Sequence, residues 1–114
     1  MGKLSTHVLD TATGVPAADV EVTLLKKTDG VFTPLKTVRT NRDGRCDEPL
    51  LSGNAVEIGS YELVFNVEAY FGTLAVETPF LKDVVIRFYI DDSAGNYHVP
   101  LLISPYGYST YKGS

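Results

Sequence analysis

The sequence predicts an all-β domain, a sandwich or barrel of seven or eight short strands with one short helix. Runs in which apolar and β-branched residues alternate with polar ones make up most of the chain. Tight-turn sequences such as Asp29-Gly30 and Asn41–Gly44 separate these runs, and helical spacing is limited to one segment. With 114 residues, the chain is expected to form a single domain over positions 1–114.

The alternating runs define the predicted strands in chain order. The clearest run places Val20, Val22 and Leu24 on one face. Asp47–Ile58 is expected to be an irregular connection. A helix is suggested within Val67–Thr78, shortened by its glycine and ended by Pro79. The predicted strands are Leu4–Leu9, Val20–Lys26, Val31–Thr40, Tyr61–Val67, Val84–Ile90 and Tyr97–Ser104.

The end of the chain has the composition of a strand and not of a frayed tail. Tyr106, Tyr108 and Tyr111 all favour β structure. We therefore expect a strand that runs to the last residue and holds Lys112–Ser114 at a fixed position. Gly113 is expected to allow a final turn that other residues resist. The alternative is an ordinary edge strand that has a polar end.

Composition excludes several classes of function. A net charge of -4 and an isoelectric point near 5.0 argue against nucleic-acid binding, which requires a basic surface. No stretch approaches the ~18 apolar residues of a membrane span. The N-terminus lacks an apolar signal core, so a cytoplasmic location is expected. The single cysteine, Cys46, cannot form a disulfide within the chain.

Two histidines, His7 and His98, are the candidates for proton transfer near neutral pH. The alternative for each is a hydrogen-bonded structural imidazole. Zinc would require three or four ligands, and no His-x-His or Cys-x-x-Cys supplies them, so we expect no metal. Pro100 lies in the same predicted strand as His98, and it predicts a sheet edge or a bulge there.

Arg45 directly follows the Asp43-Gly44 turn. A guanidinium at this position could bind an anionic or carbonyl-rich substrate through two hydrogen bonds. The alternative is a solvated turn arginine. Cys46, the next residue, is expected to be a small buried side chain, because no histidine close in sequence would activate it as a nucleophile.

Three segments of the sequence resemble the signature motifs of one family, the transthyretin-related proteins. The first is Leu4–Asp10 with Gly14–Ala17, and the second is Thr40–Cys46. The third is Tyr97–Pro105, continued by Tyr108–Ser114. The motifs appear in the family's order and together extend over essentially the whole chain, which makes the resemblance specific.

Within this family the chain is similar to the 5-hydroxyisourate hydrolases. The hormone carrier transthyretin lacks the paired histidines, the arginine after the Asp-Gly turn and the Tyr-basic-Gly-Ser ending. The family usually has arginine where this chain has Lys112, and often has histidine where it has Asn96. The residues to which the resemblance assigns active-site roles are His7, Arg45, His98, Tyr111, Lys112 and Ser114.

The resemblance also implies a reaction and an assembly. Water would cleave the ring amide of 5-hydroxyisourate, a step of urate degradation, to give 2-oxo-4-hydroxy-4-carboxy-5-ureidoimidazoline. The implied protein is a two-sheet sandwich with one short helix. It would form a homotetramer whose active sites lie in a channel where dimers meet, and it would need no cofactor.

The implied roles divide the site into catalytic and substrate-binding groups. The His7/His98 pair would activate water, and either histidine could be the base. Arg45 would hold the carbonyl or anionic edge of the substrate. Tyr111 and Ser114 would donate hydrogen bonds to the ring, and Lys112 would support its charge.

Two other functions fit parts of the sequence. One is a non-catalytic transthyretin-like tetramer that binds a small ligand, with the histidines as spectators. The other is a structural β-sandwich module, which would have no use for this C-terminus. An assay of 5-hydroxyisourate hydrolysis separates the enzyme from both.

Overall fold

Two β-sheets pack face to face and enclose one hydrophobic core. The computed structural model describes residues 2–114. Its elements are β1 (Lys3–Asp10), β2 (Val15–Pro16), β3 (Glu21–Thr28), β4 (Val31–Arg39), β5 (Leu51–Ser52), a 3-10 turn (Gly53–Ala55), β6 (Gly59–Asn66), α1 (Val67–Thr73), β7 (Asp83–Ile90), β8 (Asn96–Ser104) and β9 (Gly107–Thr110). No helix among these residues is long and apolar enough to cross a membrane.

The order of the strands confirms the predicted two-sheet sandwich. The first sheet runs β2-β1-β8-β9, with β5 paired to the other end of β1, and the second runs β4-β3-β6-β7. The β1–β8 pair is parallel, and the remaining pairs are antiparallel. Each sheet buries one face, which explains the alternating sequence pattern.

The alternation in β1 and β8 determines which side chains point away from the core. In β1, Leu4, Thr6 and Val8 are buried, whereas Ser5 and His7 are half-buried on the opposite face. Burial of a leucine or valine side chain stabilises the folded state by roughly 1.5–3 kcal/mol relative to leaving it exposed. These residues therefore fix which face of the strand points inward. The half-buried residues of β1 and β8 therefore share the outer face of the first sheet.

Residues 2–114 form nine strands, where seven or eight were predicted. The difference lies in β2 and β5, two-residue strands that pair with the two ends of β1. The α-helix is also shorter than the segment that suggested it. It begins after Asn66, whose side chain accepts a hydrogen bond from the backbone N–H of Ala69 at 3.1 Å, and it ends at Thr73.

The edge expected at Pro100 is present locally, although β8 as a whole lies between β1 and β9. The ladder with β9 ends at the Leu101–Thr110 pair. The carbonyl of Pro100 faces the β9 side, where it accepts a hydrogen bond from Thr110 Oγ1 at 2.8 Å. The missing N–H of Pro100 therefore points to that side and removes no bond to β1.

The C-terminal strand is also shorter than expected. It ends at Thr110, and the next residues leave the ladder. Gly113 returns to form an isolated bridge with His98, donating its N–H to the His98 carbonyl at 2.7 Å. Gly113 does not have the left-handed backbone that the sequence suggested. The reason for glycine at this position is a close contact described below.

One buried polar contact ties α1 to the end of β1. The carboxylate of Asp10 is fully buried and accepts hydrogen bonds from the backbone N–H groups of Ala12 and Thr13. Tyr70 donates its hydroxyl to the same carboxylate at 2.8 Å. Burial and this carboxylate raise the pKa of Tyr70, so the hydroxyl keeps its proton.

We expect Tyr70→Phe to lower the free energy of unfolding by about 1–3 kcal/mol, because the change leaves a buried carboxylate with one donor fewer. Chemical denaturation measures the loss. Tyr106→Phe is the matched control, since Tyr106 is exposed and its change is expected to cost less than about 0.5 kcal/mol. Equal losses in both variants would contradict this account of Asp10.

Candidate active site

An open cleft of about 460 Å³ lies beside the start of β8. Its walls come from β1, from the turn before Arg45, from β8 and from the last residue of the described chain. Its lining is mostly polar or charged. The lining residues are Lys3, Ser5, Arg45, Asn96, Tyr97, His98 and Ser114.

Pairing of β1 with β8 brings His98 to this cleft. The strands are parallel, and Ser5 lies directly opposite His98. The hydroxyl of Ser5 is 2.9 Å from Nδ1 of His98. Next to this pair, Thr6 Oγ1 donates a hydrogen bond to the carbonyl of Val99 at 2.7 Å, which holds the register from the core side.

Gly113 packs against the ring of His98. A Cβ atom at position 113 would lie 2.6 Å from Cδ2 of His98, closer than the ring could accept without moving. This contact explains the glycine, because any side chain there would displace the imidazole. It also carries the chain past His98 and into the cleft, where Ser114 forms part of the wall.

His98 is held in its neutral form. Burial is the largest cause of its lowered pKa, and the charges of Arg45, His7 and Lys3 lower the pKa further. Each of these effects disfavours the imidazolium. The ring therefore remains available to accept a proton at a lower pH than an ordinary histidine.

A tight turn places Arg45 at the cleft. The side-chain oxygen of Asn41 accepts hydrogen bonds from the backbone N–H groups of Asp43 at 2.9 Å and Arg45 at 3.2 Å. Gly44 has φ +75°, and a Cβ there would lie 2.3 Å from the carbonyl oxygen of Val8. Only glycine lets the turn approach β1 this closely.

His7, on β1, lies opposite Arg45 of the turn that approaches this strand. The two residues form an isolated antiparallel bridge, and the Gly44 carbonyl accepts a hydrogen bond from the N–H of Val8 at 2.8 Å. His7 shares the outer face with Ser5 and is near enough to affect the pKa of His98. It is not among the described residues that line the cleft.

Tyr111 and Lys112 lie along a different groove. This second space, of about 250 Å³, opens between β7 and the tail that follows β9. Tyr97 lines both spaces and forms the wall between them. The Nζ of Lys112 lies 5.3 Å from the centre of the Tyr97 ring, a cation–π contact. The structure thus gathers Arg45, His98 and Ser114 at the cleft, and it places Tyr111 and Lys112 beyond Tyr97.

Tyr97 is a firm wall because its hydroxyl is anchored. It donates a hydrogen bond to the carboxylate of Asp91 at 2.6 Å and accepts bonds from the backbone N–H groups of Asp91 and Asp92, each at 3.1 Å. The bond to Asp91 is the largest cause of the raised pKa of Tyr97. The aromatic ring is therefore held in place between the two spaces.

Cys46 behaves as the sequence predicted. It is half-buried and packs against the hydrophobic core. Burial raises the pKa of its thiol, and a protonated thiol is a poor nucleophile. Among residues 2–114, the His, Cys, Asp and Glu side chains form no group of three that could hold a metal ion.

The sequence analysis did not identify Lys3 and Ser5 as site residues. A signal was present, since each lies an even number of positions from His7 on a predicted strand and so shares its face. What the sequence did not reveal is that β8 is the parallel neighbour of β1, with Lys3 opposite Asn96 and Ser5 opposite His98.

The site combines groups suited to hydrolysis of a carbonyl compound. A neutral imidazole can take a proton from water, and a nearby guanidinium can stabilise the negative charge that develops on a carbonyl oxygen. The cleft also has a net excess of cationic side chains, in a chain whose overall charge is -4. Such a site favours a small, polar substrate that is anionic or rich in carbonyl groups.

Comparison with known proteins agrees with this geometry. A 5-hydroxyisourate hydrolase of Ralstonia nicotianae is 52% identical over 117 residues, covering 100% of both chains. The solved structure of Klebsiella pneumoniae 5-hydroxyisourate hydrolase matches with a TM-score of 0.85 and 36% identity, covering 100% of both chains.

A third match is to part of a larger protein. The crystal structure of an (S)-allantoin synthase aligns with a TM-score of 0.94 and 39% identity over 99% of this chain, which spans only 44% of that protein. The family model described as HIUase/Transthyretin matches residues 4–113. This chain belongs to the HIUase/Transthyretin family.

Proposed function

We propose that this chain is a hydrolase that opens the ring of 5-hydroxyisourate. Full-length relatives whose sequences are 52% and 54% identical to this chain are named 5-hydroxyisourate hydrolase. The observation that carries the proposal is the meeting of His98, held neutral, with Arg45 and Ser114 at one polar cleft. A carrier of apolar ligands would need apolar walls, which this cleft does not offer.

In the proposed reaction, His98 removes a proton from water as the water oxygen attacks the carbonyl carbon of the ring amide. Arg45 stabilises the oxyanion of the tetrahedral intermediate. The carbon–nitrogen bond then breaks, the ring nitrogen takes the proton from the imidazolium, and the carbonyl carbon becomes that of a carboxylic acid, which releases its proton to solvent. The product would be 2-oxo-4-hydroxy-4-carboxy-5-ureidoimidazoline. This chemistry needs no cofactor, and we propose that it takes place in the cytoplasm.

The other predicted site residues have supporting roles in this proposal. Ser114 would donate a hydrogen bond to the substrate ring from the cleft wall. His7 would keep His98 neutral through its proximity and would help Arg45 to hold the anionic edge. Tyr111 and Lys112 lie on the far side of Tyr97 and would support the site indirectly. Lys112 would do so through its cation–π contact, which holds the ring of Tyr97 in place.

We further propose that the chain works as a homotetramer. One edge of each sheet is formed by β7 and by β9, and both strands expose apolar or aromatic side chains, among them Val85, Tyr89 and Tyr108. Apolar surface on unpaired strands favours association with further copies. The channel implied by the family resemblance would then enclose the cleft.

Loss of either histidine should strongly reduce catalysis. We expect His98→Asn to lower kcat/KM by about 10²-fold or more, the scale of a positioned proton-transfer group. We expect His7→Asn to lower kcat/KM by about 10²-fold as well, because the substrate would lose a group that holds its anionic edge in position. The decay of 5-hydroxyisourate absorbance, corrected for spontaneous hydrolysis, measures the rate, and thermal unfolding checks the fold. Wild-type protein that binds the compound without accelerating its decay would instead support the non-catalytic binding function.

The cleft cations should set the lower pH limit of activity. Lys3 disfavours the imidazolium of His98, so Lys3→Gln should raise the pKa of His98. As pH falls, the variant should therefore lose kcat/KM at a higher pH than wild type. Lys27→Gln, an exposed lysine change on the other sheet, is the control and should leave the profile unmoved. Coincident profiles for all three proteins would show that Lys3 has no influence on the base.

The assembly can be tested separately. Light scattering of the active protein should give four times the 12.4 kDa mass of one chain. Replacing Tyr89 on the β7 edge with lysine should weaken association, because the charge opposes burial of that edge. An active monomer would overturn the tetramer and the shared channel, while leaving the hydrolase proposal intact.

A further inference from the structure

We propose that Ser5 is a positioning residue that fixes the tautomer of His98, so that Nδ1 carries the proton and Nε2 faces the cleft as a hydrogen-bond acceptor. The tautomer is a property of the free protein. Only its catalytic consequence depends on the proposed function.

The position of Ser5 is set by the sheet and not by a flexible loop. Ser5 and His98 are register partners in the parallel β1–β8 pair, both half-buried on the outer face. The bond between Thr6 Oγ1 and the Val99 carbonyl holds the adjacent residues. The 2.9 Å contact between Ser5 Oγ and His98 Nδ1 therefore follows from strand register.

The surroundings of the imidazole leave one edge free. Nδ1 is bonded to Ser5, and the Cδ2 side is covered by Gly113, where a Cβ would lie only 2.6 Å away. The remaining edge comprises Cε1 and Nε2. Within residues 2–114, Nε2 has no hydrogen-bond partner, and none of the buried side-chain nitrogen or oxygen atoms is unpaired. Nε2 must therefore be accessible in the cleft.

Charge decides between the two neutral tautomers. Arg45 and Lys3 line the same cleft, and both are donors without an acceptor atom. A proton on Nε2 would face these cations, whereas a lone pair there is stabilised by them. The hydroxyl of Ser5 can accept a hydrogen bond from Nδ1–H, which completes the arrangement. Nε2 is then the atom that can take a proton from water.

The chain is well suited to a direct test, because it contains only two histidines. In uniformly ¹⁵N-labelled protein above pH 7, long-range ¹H–¹⁵N correlation spectra report which ring nitrogen is protonated. A His7→Asn variant assigns the signals. We expect His98 to show a protonated Nδ1 and an unprotonated Nε2.

Substitutions at Ser5 then separate positioning from structural support. Ser5→Ala should shift His98 toward the Nε2–H tautomer and lower kcat roughly 10- to 100-fold with little change in KM. Ser5→Thr retains the hydroxyl and should restore both the spectrum and kcat. Ser93→Ala, which changes an exposed serine in the turn between β7 and β8, is the matched control and should change neither.

Two results would overturn the tautomer assignment: a wild-type His98 protonated on Nε2, or an unchanged tautomer in Ser5→Ala. The predicted tautomer in a protein that does not accelerate 5-hydroxyisourate decay would leave the inference standing and would refute the proposed function. If Ser5→Ala shifts the tautomer as expected but leaves the kcat of an active enzyme unchanged, the positioning role of Ser5 is overturned.

Discussion

The parallel pairing of β1 with β8 is the constraint on which the rest of the site depends. These strands come from opposite ends of the chain, and their register places Ser5 against His98 and His7 against Pro100. The hydrophobic residues between them, buried on the core side, prevent a slip of one residue, because a slip would turn every core side chain outward. The packing of the core thus fixes the geometry of the polar outer face.

Two glycines let other segments approach this pair of strands. Gly44 allows the turn before Arg45 to approach the carbonyl of Val8, and Gly113 allows the tail to lie against the ring of His98. In both cases a Cβ atom would collide with its neighbour, so the site can form only because these two positions carry no side chain. The arginine and the terminal serine reach the cleft only because these approaches are close.

Electrostatics then gives the site its character. The chain is acidic overall, yet Lys3, Arg45 and His7 surround His98 and oppose its protonation. A cluster of this kind lowers the stability of the imidazolium, while it favours an anionic or carbonyl-rich ligand. The same charges that keep the base neutral would attract the substrate. Tyr97, anchored at its hydroxyl, separates this polar cleft from the apolar groove beyond it.

The sequence by itself determined the sandwich and the identity of the main reactive groups. Alternation located most of the long strands, because each sheet buries one face, and the Asp29-Gly30 turn pointed to β4, whose side chains are mostly exposed. Motif resemblance pointed to His7, Arg45 and His98. It missed β2 and β5, whose two-residue pairings leave no periodic signal, and it misjudged the backbone conformation of Gly113. The last error arose because the glycine is required by contact with the ring of His98, a residue distant in sequence.

Only the tertiary structure decided which groups share a cleft. It joined Ser5 and Lys3 to His98 through strand register, and it placed Tyr111 and Lys112 on the far side of Tyr97. Periodicity specifies the face of a strand on which a residue lies, but the neighbour of that strand depends on how the whole core packs. Residue types were therefore readable from the sequence, whereas their distances, and the charge state of His98 that follows from them, required the folded chain.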